Sequence, residues 1–308
     1  MLGPRVRRNV PLGPHTTYRV GGPAALFVAV DDDATLADVS AAVRASGVTV
    51  LVVGRGSNLL VADTGFRGLA VVLGEHFTSI DVPQHTERGS TSPVEIVAGG
   101  AASLPVVARR TAAAGLTGFE WAVGVPGSIG GAVFMNAGGH GSDMARSLVG
   151  VRVLDLVAGE DGWVPAAALD LSYRHSNLTS SHVVLAARLA LEPGDRERSE
   201  AAIAEIVRWR RAHQPGGANA GSVFTNPTGD SAGRLIEAAG CKGLRIGTAE
   251  VSFKHANFVQ ADEHGRAADV LAVMEEVRRR VEAHSGVRLE AETRLVGFDD
   301  PRPPVEAS

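Results

Sequence analysis

Apolar residues follow two different spacings within the first fifty positions. The run 25–30 is continuously apolar, which is typical of a buried strand. Three aspartates follow it and can cap a helix. Leu36, Val39 and Val43 then recur at the spacing of one helix face. The pattern therefore predicts a strand followed by a helix over about 34–46.

The rest of the chain continues this alternation of apolar runs and amphipathic segments. Strands are predicted over 48–53, 69–73, 94–98, 151–157, 183–191 and 287–296, with two short pieces within 250–259. Helices are predicted between Ser103 and Gly115 and over 197–213, 231–239 and 267–284. The polar segment 84–92 is expected to be a mobile loop or hairpin, and the tail from residue 299 is expected to be disordered.

The domain organisation follows from length and from one break in the pattern. A chain of 308 residues is long for a single hydrophobic core. The break is Glu192-Pro193-Gly194-Asp195, which interrupts a strand. We therefore predict an α+β protein with a first domain over 1–190, made of subdomains at about 1–75 and 76–190. A smaller α/β domain is expected over 195–298, followed by the tail 299–308.

Composition narrows the functional classes. Hydrophobic residues make up 44% of the chain and charged residues 21%, as in ordinary globular proteins. A net charge of -4 and an aromatic content of 5% argue against a nucleic-acid partner. No apolar run approaches the ~20 residues that span a bilayer, and the first residues do not resemble a signal peptide. The single cysteine suits a reducing cytoplasm, and no histidine spacing indicates a metal site.

Two glycine-containing loops are candidate ligand-binding segments. Four glycines and one proline lie within 124–132, and in a helix glycine costs about 1 kcal/mol and proline about 3 kcal/mol relative to alanine. This stretch is therefore not expected to form a regular helix or strand. Its bare backbone N–H groups can approach the diphosphate of a dinucleotide, although a tight turn with close backbone packing is the alternative.

The second glycine loop, 54–60, follows an apolar strand. Ser57 and Asn58 add side-chain donors to it. The Rossmann fingerprint is incomplete, because Leu59 stands at the position of the third glycine. We expect the two glycine loops to clamp the two ends of one long ligand.

A few polar side chains elsewhere are candidates for chemistry. Tyr173 and Arg174 place a phenol and a permanent cation side by side near a turn. Ser222 follows a glycine at the entry to a short strand, but the nucleophile elbow of hydrolases is absent, so a hydrolase triad is not expected. Cys241 is interpreted as part of a helix end and not as a nucleophile.

In their order and spacing, these motifs resemble the family of UDP-N-acetylenolpyruvoylglucosamine reductases, flavoenzymes that make UDP-N-acetylmuramate for bacterial peptidoglycan. The resemblance spans nearly the whole chain. It implies an FAD-binding domain of the vanillyl-alcohol-oxidase (PCMH) type, a smaller α/β substrate-binding domain, and a monomeric enzyme. The matching segments are 15–17 with 21–24, 54–60, 124–132 with 136–138, 173–176, 221–227, 235–237 with 239–240, 251–252 with 254–258, and 289–290 with 292.

The resemblance also implies the cofactors and the reaction. NADPH is expected to reduce a non-covalently bound FAD, after which UDP-N-acetylglucosamine enolpyruvate replaces the nicotinamide. Hydride then passes from flavin N5 to the methylene carbon of the enolpyruvyl ether. The implied FAD-binding residues are Gly54, Gly56, Ser57, Asn58, Leu59, Gly124, Pro126, Gly127, Ser128, Ile129, Gly130 and Gly131.

Catalytic and substrate-binding roles are implied for six residues. Arg174 and Glu292 would stabilise the negative charge that develops beside the substrate carboxylate, Glu292 as a donor only when protonated. Ser222 would deliver the proton, oriented by a neighbour or water because serine is a poor acid. His255 and Asn257 are either site residues or supports of a strand kink. The implied substrate contacts are Tyr173, Asn226 and His213.

Three positions depart from the family pattern. Lysine is common where this chain has His213 and Thr225, and tyrosine is common where it has His140. Arg210 or Arg211 is a candidate to replace the lost charge. Two alternatives stay open: an FAD-dependent oxidoreductase of the same fold with another substrate, for which His140 is the candidate flavin attachment, and a non-catalytic sugar-nucleotide-binding relative.

Overall fold

The computed structural model describes residues 3–83 and 92–298. The predictions for the segment 84–92, apart from Ser92, and for the tail from 299 lie outside the described residues. The helices are α1 (Asp33–Ser46), α2 (Leu104–Ala113), α3 (Ile129–Phe134), α4 (Arg196–His213), α5 (Ala232–Ala238) and α6 (Ala267–Ser285). The strands are β1 (Arg7–Pro11), β2 (Pro23–Val30), β3 (Val50–Val52), β4 (Leu59–Val61), β5 (Phe66–Leu73), β6 (Ile80–Asp81), β7 (Val94–Gly99), β8 (Leu116–Thr117), β9 (Gly138–Gly139), β10 (Ser142–Asp143), β11 (Leu148–Asp155), β12 (Asp161–Pro165), β13 (His182–Pro193), β14 (Arg245–Ile246), β15 (Ala249–Val251), β16 (Val259–Ala261) and β17 (Arg294–Val296).

The chain divides into two compact units. The first takes its described residues from 1–8, 26–57 and 68–216, and the second from 9–25, 58–67 and 217–308. This division differs from the predicted boundary at 190–195, because α4 belongs to the first unit. The side chain of Ile203 is buried in the core of that unit, and Ser199 Oγ donates a hydrogen bond to Glu120 Oε1 at 2.6 Å. The Pro-Gly break therefore leads from β13 into a helix of the same unit.

In the first unit, β3 pairs in parallel with β5 in a sheet that also includes β2. Helix α1 packs on this sheet through Leu36, Val39 and Val43, each of which contributes about 1.5–3 kcal/mol by burial. Asp32 Oδ1 accepts the N–H of Thr35 at 2.6 Å, and Gly47 ends the helix at φ 64°. The predicted strand and helix are thus confirmed, with the caps that the sequence indicated.

A larger antiparallel sheet of the first unit has the strand order β12-β11-β13-β7-β6. Helices α2, α3 and α4 contribute Leu104, Val107, Ile129 and Ile203 to the core that also holds Ile96 of β7. The long strand β13 pairs with β11 on one side and with β7 on the other.

One prediction about the glycine-rich stretch is wrong. Residues 129–134 form the short helix α3, although two of its residues are glycines. Ser128 caps this helix by accepting the N–H of Gly131 at 3.3 Å. A Cβ atom on Gly130 would lie 3.1 Å from the carbonyl oxygen of Gly100, so close packing needs glycine there. Tertiary contact thus outweighs the low helix propensity of glycine.

The second unit is built on α5 and α6 with the small sheet β14-β15-β16. Its core contains Ile236 from α5 and Val270, Met274 and Val277 from α6. The predicted strand over 287–296 is confirmed only at β17, which runs parallel to β4. The residues before β17 form a single bridge with Phe224 instead of a regular strand. No helix in the described residues is long and apolar enough to cross a membrane.

Candidate functional site

The two glycine loops approach each other within the first unit. A Cβ atom on Gly54 would lie 2.6 Å from Ser128 Oγ, and one on Gly127 would lie 3.7 Å from Ser57 Oγ. A Cβ atom at the first of these distances would force Ser128 Oγ to move. The structure therefore places residues 54–57 directly beside residues 127–128, so the two loops share one surface here instead of lying at the two ends of a long ligand.

Four N–H groups of the glycine-rich stretch are hydrogen-bonded within the protein. Gly127 N donates to Val125 O at 2.9 Å, and Ile129 N donates to Ala102 O at 2.9 Å. Gly130 N donates to Gly100 O at 2.8 Å, and Gly131 N donates to Ser128 Oγ at 3.3 Å. The expectation that these groups are bare donors is therefore wrong at the four positions. Close backbone packing, the alternative interpretation, accounts for them.

The surface that remains still fits a diphosphate-bearing cofactor such as FAD. Gly54 and Gly131 are exposed, and Ser128 Oγ, at 3.5 Å, is the nearest described atom to a Cβ built on Gly131. Ser57 and Ser128 add hydroxyl groups, which can donate to phosphate oxygens. A Cβ-free surface next to two hydroxyls admits close approach of a ligand to the backbone.

Asn58 and Leu59 continue the first glycine loop into the second unit. Asn58 Nδ2 donates to the carbonyl oxygen of Glu292 at 3.0 Å, and its own carbonyl accepts from Arg294 N at 3.0 Å. Leu59 is buried and begins β4, which pairs with β17. The side-chain amide of Asn58 thus holds the segment of Glu292, a role that the sequence did not indicate.

Tyr173 and Arg174 form the tip of a tight turn in the first unit. Ser172 and His175 close this turn with backbone hydrogen bonds of 3.2 and 3.1 Å. Arg174 has φ 57°, a backbone conformation that costs a non-glycine residue of order 1–3 kcal/mol. Its Nη2 donates to the carbonyl of Gly138 at 3.1 Å, and its guanidinium lies 5.1 Å from the centre of the exposed Tyr173 ring. The turn therefore presents a fixed cation beside an aromatic ring.

The same turn is attached to the segment that follows α3. Asn136 Nδ2 donates to Ser172 O at 2.9 Å, and Ser176 Oγ donates to Phe134 O at 2.7 Å. Asn136 is itself buried and also accepts the N–H of Ala145 at 3.0 Å. These bonds explain why Asn136 and Ser176 belong to the motifs that the sequence singled out.

In the second unit, Ser222 and Glu292 lie on two paired segments. Val223, the residue after Ser222, accepts the N–H of Glu292 at 2.9 Å, and Phe224 forms a bridge with Ala291. Both Ser222 and Glu292 are half-buried. The structure therefore brings together two of the three residues for which the family resemblance implies catalytic roles.

Asn257 supports the segment of Ser222 from the other side. Its Oδ1 accepts the N–H of Phe224 at 3.0 Å, and its Nδ2 donates to the carbonyl of Phe224 at 2.8 Å. Its backbone carbonyl also accepts the N–H of Val223 at 3.0 Å. Of the two interpretations left open for Asn257, this geometry favours structural support.

Ser222 and Asn226 line a cavity of about 410 Å³ within the second unit. Asn226 is exposed, and its Oδ1 accepts the N–H of Ala232 at the start of α5 at 3.0 Å. The other lining residues are Ser231, Gly233, Arg234, Glu237, Lys242, Lys254, His255, Ala256 and Asn257. Sequence reasoning missed Arg234 and Lys242 as site residues, because each lies on an ordinary polar surface position of its own segment.

His213, at the end of α4, lies in an aromatic cluster of the first unit. Its ring stacks on Trp209 with centroids 4.7 Å apart, and its Nδ1 lies 2.8 Å from Trp209 O. The ring of His140 meets the edge of Trp209 at 5.1 Å, and a Cβ atom on Gly124 would lie 3.0 Å from it. His140 therefore packs on the first residue of the glycine-rich stretch.

Two shifted pKa values belong to this cluster. Burial lowers the pKa of the Arg210 guanidinium, whose Nε donates to Gln214 Oε1 at 2.8 Å. Burial, together with the charge of Arg210, lowers the pKa of His140. Burial and the charge of Arg210 therefore both disfavour a protonated His140 imidazole beside the glycine-rich stretch.

Within residues 3–83 and 92–298, no group of three or more His, Cys, Asp or Glu residues is placed to hold a metal ion. Cys241 is buried, and burial raises the pKa of its thiol. A raised pKa keeps the sulfur protonated, which is the opposite of what a nucleophilic cysteine needs.

Comparison with known proteins agrees with this arrangement. A family model described as "FAD binding domain" matches residues 24–160, which include both glycine loops. A second one, described as "UDP-N-acetylenolpyruvoylglucosamine reductase, C-terminal domain", matches residues 213–296. The α+β fold class and the FAD-binding domain that the sequence predicted are confirmed.

Curated relatives and a solved structure match almost the whole chain. The UDP-N-acetylenolpyruvoylglucosamine reductase of Heliobacterium modesticaldum is 43% identical over 93% of this chain and 89% of its own length. That of Rubrobacter xylanophilus is 41% identical over 96% and 97%. The crystal structure of the reductase (MurB) from Thermus caldophilus matches with a TM-score of 0.79 and 34% identity, covering 95% of this chain and 99% of that one. The chain therefore belongs to the family of UDP-N-acetylenolpyruvoylglucosamine reductases.

Proposed function

We propose that this protein reduces the enolpyruvyl ether of UDP-N-acetylglucosamine enolpyruvate to UDP-N-acetylmuramate, a step in peptidoglycan precursor synthesis, with NADPH as the hydride donor. The observation that carries the proposal is the pairing of the Ser222 and Glu292 segments through the 2.9 Å hydrogen bond from Glu292 N to Val223 O. We further propose a monomeric, cytoplasmic enzyme. The family membership and the FAD-binding domain support this assignment.

The residues that would hold FAD are those of the two glycine loops. Gly54 and Ser57 lie beside Ser128 and Gly127. The other proposed FAD-binding glycines and the proline belong to the same two loops: Gly56, Gly124, Pro126, Gly130 and Gly131. Asn58 and Leu59 follow Ser57 in the chain, and Ile129 follows Ser128; they are proposed to contact FAD as well. The Asn58 amide is bonded to Glu292 O, and the side chains of Leu59 and Ile129 are buried. Once reduced by NADPH, the bound flavin would supply a hydride to the methylene carbon of the enolpyruvyl group and would return to its oxidised form.

Ser222 is proposed to complete the reduction by protonating the neighbouring carbon. The hydroxyl gives up its proton as the new C–H bond forms, and solvent then reprotonates the oxygen. A serine needs help in this role, because its ordinary acidity is low. The cationic side chains in the same cavity wall lower the cost of negative charge on Oγ.

Arg174 and Glu292 are proposed to stabilise the charge that develops during hydride addition. That charge is delocalised into the substrate carboxylate, and donors aimed at developing charge are usually the largest catalytic contribution. The 3.1 Å bond from Arg174 to Gly138 supports a guanidinium that is held in place before substrate binds. Tyr173, Asn226 and His213 are proposed as substrate contacts.

The deciding experiment is an anaerobic stopped-flow measurement. The flavin is first reduced with one equivalent of NADPH, and the reduced protein is then mixed with UDP-N-acetylglucosamine enolpyruvate. We expect the flavin absorbance to return as UDP-N-acetylmuramate forms. Reduction by NADPH without reoxidation by this substrate would contradict the proposal.

A further inference from the structure

The glycine-rich stretch offers few backbone donors to the diphosphate of FAD. Four of its N–H groups are already hydrogen-bonded within the protein, those of Gly127, Ile129, Gly130 and Gly131. Helix α3, which begins in this stretch, has only six residues, so few peptide dipoles are aligned at its N-terminus. The diphosphate is anionic at neutral pH, and covering a charge without a partner is costly. A cation next to the two glycine loops would therefore contribute to cofactor binding.

Arg55 is the one charged residue in the two glycine loops, 54–60 and 124–132. It stands between Gly54 and Gly56 and is exposed. Within residues 3–83 and 92–298, no carboxylate is paired with its guanidinium. Its charge and its fork of N–H donors are therefore available to a ligand of this loop.

The residues on either side of Arg55 lie against the glycine-rich stretch. A Cβ atom on Gly54, the residue before it, would lie 2.6 Å from Ser128 Oγ. Ser57 Oγ, two residues after it, would lie 3.7 Å from a Cβ atom on Gly127. The positive charge therefore belongs to the segment at which the two loops share one surface.

We propose that Arg55 binds the diphosphate of FAD, together with the hydroxyl groups of Ser57 and Ser128. The inference extends the proposed FAD site and rests on it. Arginine presents two parallel N–H donors to phosphate oxygens and stays charged at physiological pH. Arg55 thereby supplies the positive charge that the engaged amides of the glycine-rich stretch do not supply.

The test measures the Kd of the apoprotein for FAD by fluorescence titration, at low and at high salt. Arg55→Gln removes the charge, and Arg55→Lys keeps the charge without the planar fork. Arg110→Gln is the matched control, because it removes an exposed arginine in the last turn of α2, outside both glycine loops. The circular dichroism spectrum and the Tm of each apoprotein show whether it is folded, and exposed substitutions of this kind usually change stability little.

We expect Arg55→Gln to raise the Kd for FAD about three- to tenfold at low salt, between the effect of losing an exposed ion pair and that of losing a hydrogen bond to a charged group. The difference should shrink at high salt, because dissolved ions screen exposed charges. Arg55→Lys should recover most of the affinity, and Arg110→Gln should match the unmodified protein.

A folded Arg55→Gln variant that binds FAD as tightly as Arg110→Gln would overturn the inference. A loss that persists at high salt and that lysine does not restore would also overturn it, because such a loss indicates stacking of the guanidinium on an aromatic ring of the cofactor instead of a charge pair with the diphosphate. An unmodified apoprotein that does not bind FAD would instead count against the proposed FAD site as a whole.

Discussion

Asn257 bonds to both backbone polar groups of Phe224, accepting from its N–H at 3.0 Å and donating to its carbonyl at 2.8 Å. Both residues are buried. The amide therefore replaces the strand neighbour that this backbone segment lacks on that side. Because Phe224 lies two residues after Ser222, the bond also fixes the path of the segment that carries the proposed proton donor.

Replacing Asn257 with alanine should destabilise the protein substantially. Two buried backbone groups would lose their partners, and each such loss costs about 1–3 kcal/mol. We expect a decrease of about 2–5 kcal/mol in the free energy of unfolding, measured by urea denaturation. Asn177→Ala, which removes an exposed 2.8 Å bond to Ala168 O, is the control and should cost under about 1 kcal/mol. Equal losses in the two variants would show that Asn257 is not a support.

Ser222→Ala should separate the two half-reactions. Flavin reduction by NADPH is expected to proceed at the normal rate, since it needs no proton from Ser222. Reduction of the enolpyruvyl substrate should slow by about 10²–10⁴-fold, the range for losing a general acid. Anaerobic stopped-flow spectroscopy measures both rates, and Ser285→Ala, on the last turn of α6, serves as the control. Equal slowing of both half-reactions would contradict the role of Ser222 as the proton donor.

The sequence predicted the local elements better than the way they assemble. α1 has the expected position, because an aspartate cap and a left-handed glycine define its two ends locally. α6 likewise ends at the left-handed Gly286, but its first two N–H groups are bonded by Asp63 from a distant part of the chain. α4 is attached to the first unit by the buried side chain of Ile203 and by the Ser199–Glu120 bond at 2.6 Å. A contact between residues 79 positions apart leaves no trace in local periodicity.

The residues of the candidate site also differ in whether the sequence indicated them. Ser222, Arg174 and the glycine loops belong to recognisable motifs, so the sequence indicated them directly. The cations Arg234 and Lys242 join Ser222 only through the folding of the second unit around one cavity. The helix α3 was not predicted either, because its two glycines have low helix propensity and the close approach of Gly130 to Gly100 exists only in the folded chain.

Gly131→Ala should weaken FAD binding without harming the protein itself. Gly131 is exposed, and a Cβ atom there would meet Ser128 Oγ at an ordinary 3.5 Å. In the first turn of α3, alanine is favoured over glycine by up to about 1 kcal/mol. We therefore expect equal or higher stability of the apoprotein, and a Kd for FAD raised at least about tenfold, since a methyl group would occupy the ligand surface.

Fluorescence titration of the apoprotein with FAD measures this Kd. Gly162→Ala is the matched control, because a Cβ atom at Gly162 meets nothing within 4 Å and the residue lies in β12, away from both glycine loops. It should bind FAD with unchanged affinity. If Gly131→Ala also binds FAD normally, the cofactor does not approach this face of α3.

The protonation of His140 should depend on Arg210. Burial and the Arg210 charge both lower the pKa of His140, so the neutral imidazole is favoured in the folded protein. An unfolded chain, with an ordinary histidine pKa of about 6.5, binds the proton more readily. Stability from this residue is therefore present above about pH 6.5 and is lost as pH falls below it.

Arg210→Gln should raise the pKa of His140 towards its ordinary value, because the repulsive charge is removed. The shift is measured by following the His140 ring proton resonances against pH by NMR. Arg208→Gln, which removes an exposed charge from the same helix, is the control and should leave the titration unchanged. An identical His140 pKa in the Arg210→Gln variant and the unmodified protein would mean that burial alone sets it, and that Arg210 exerts no electrostatic influence on the ring that packs against Gly124.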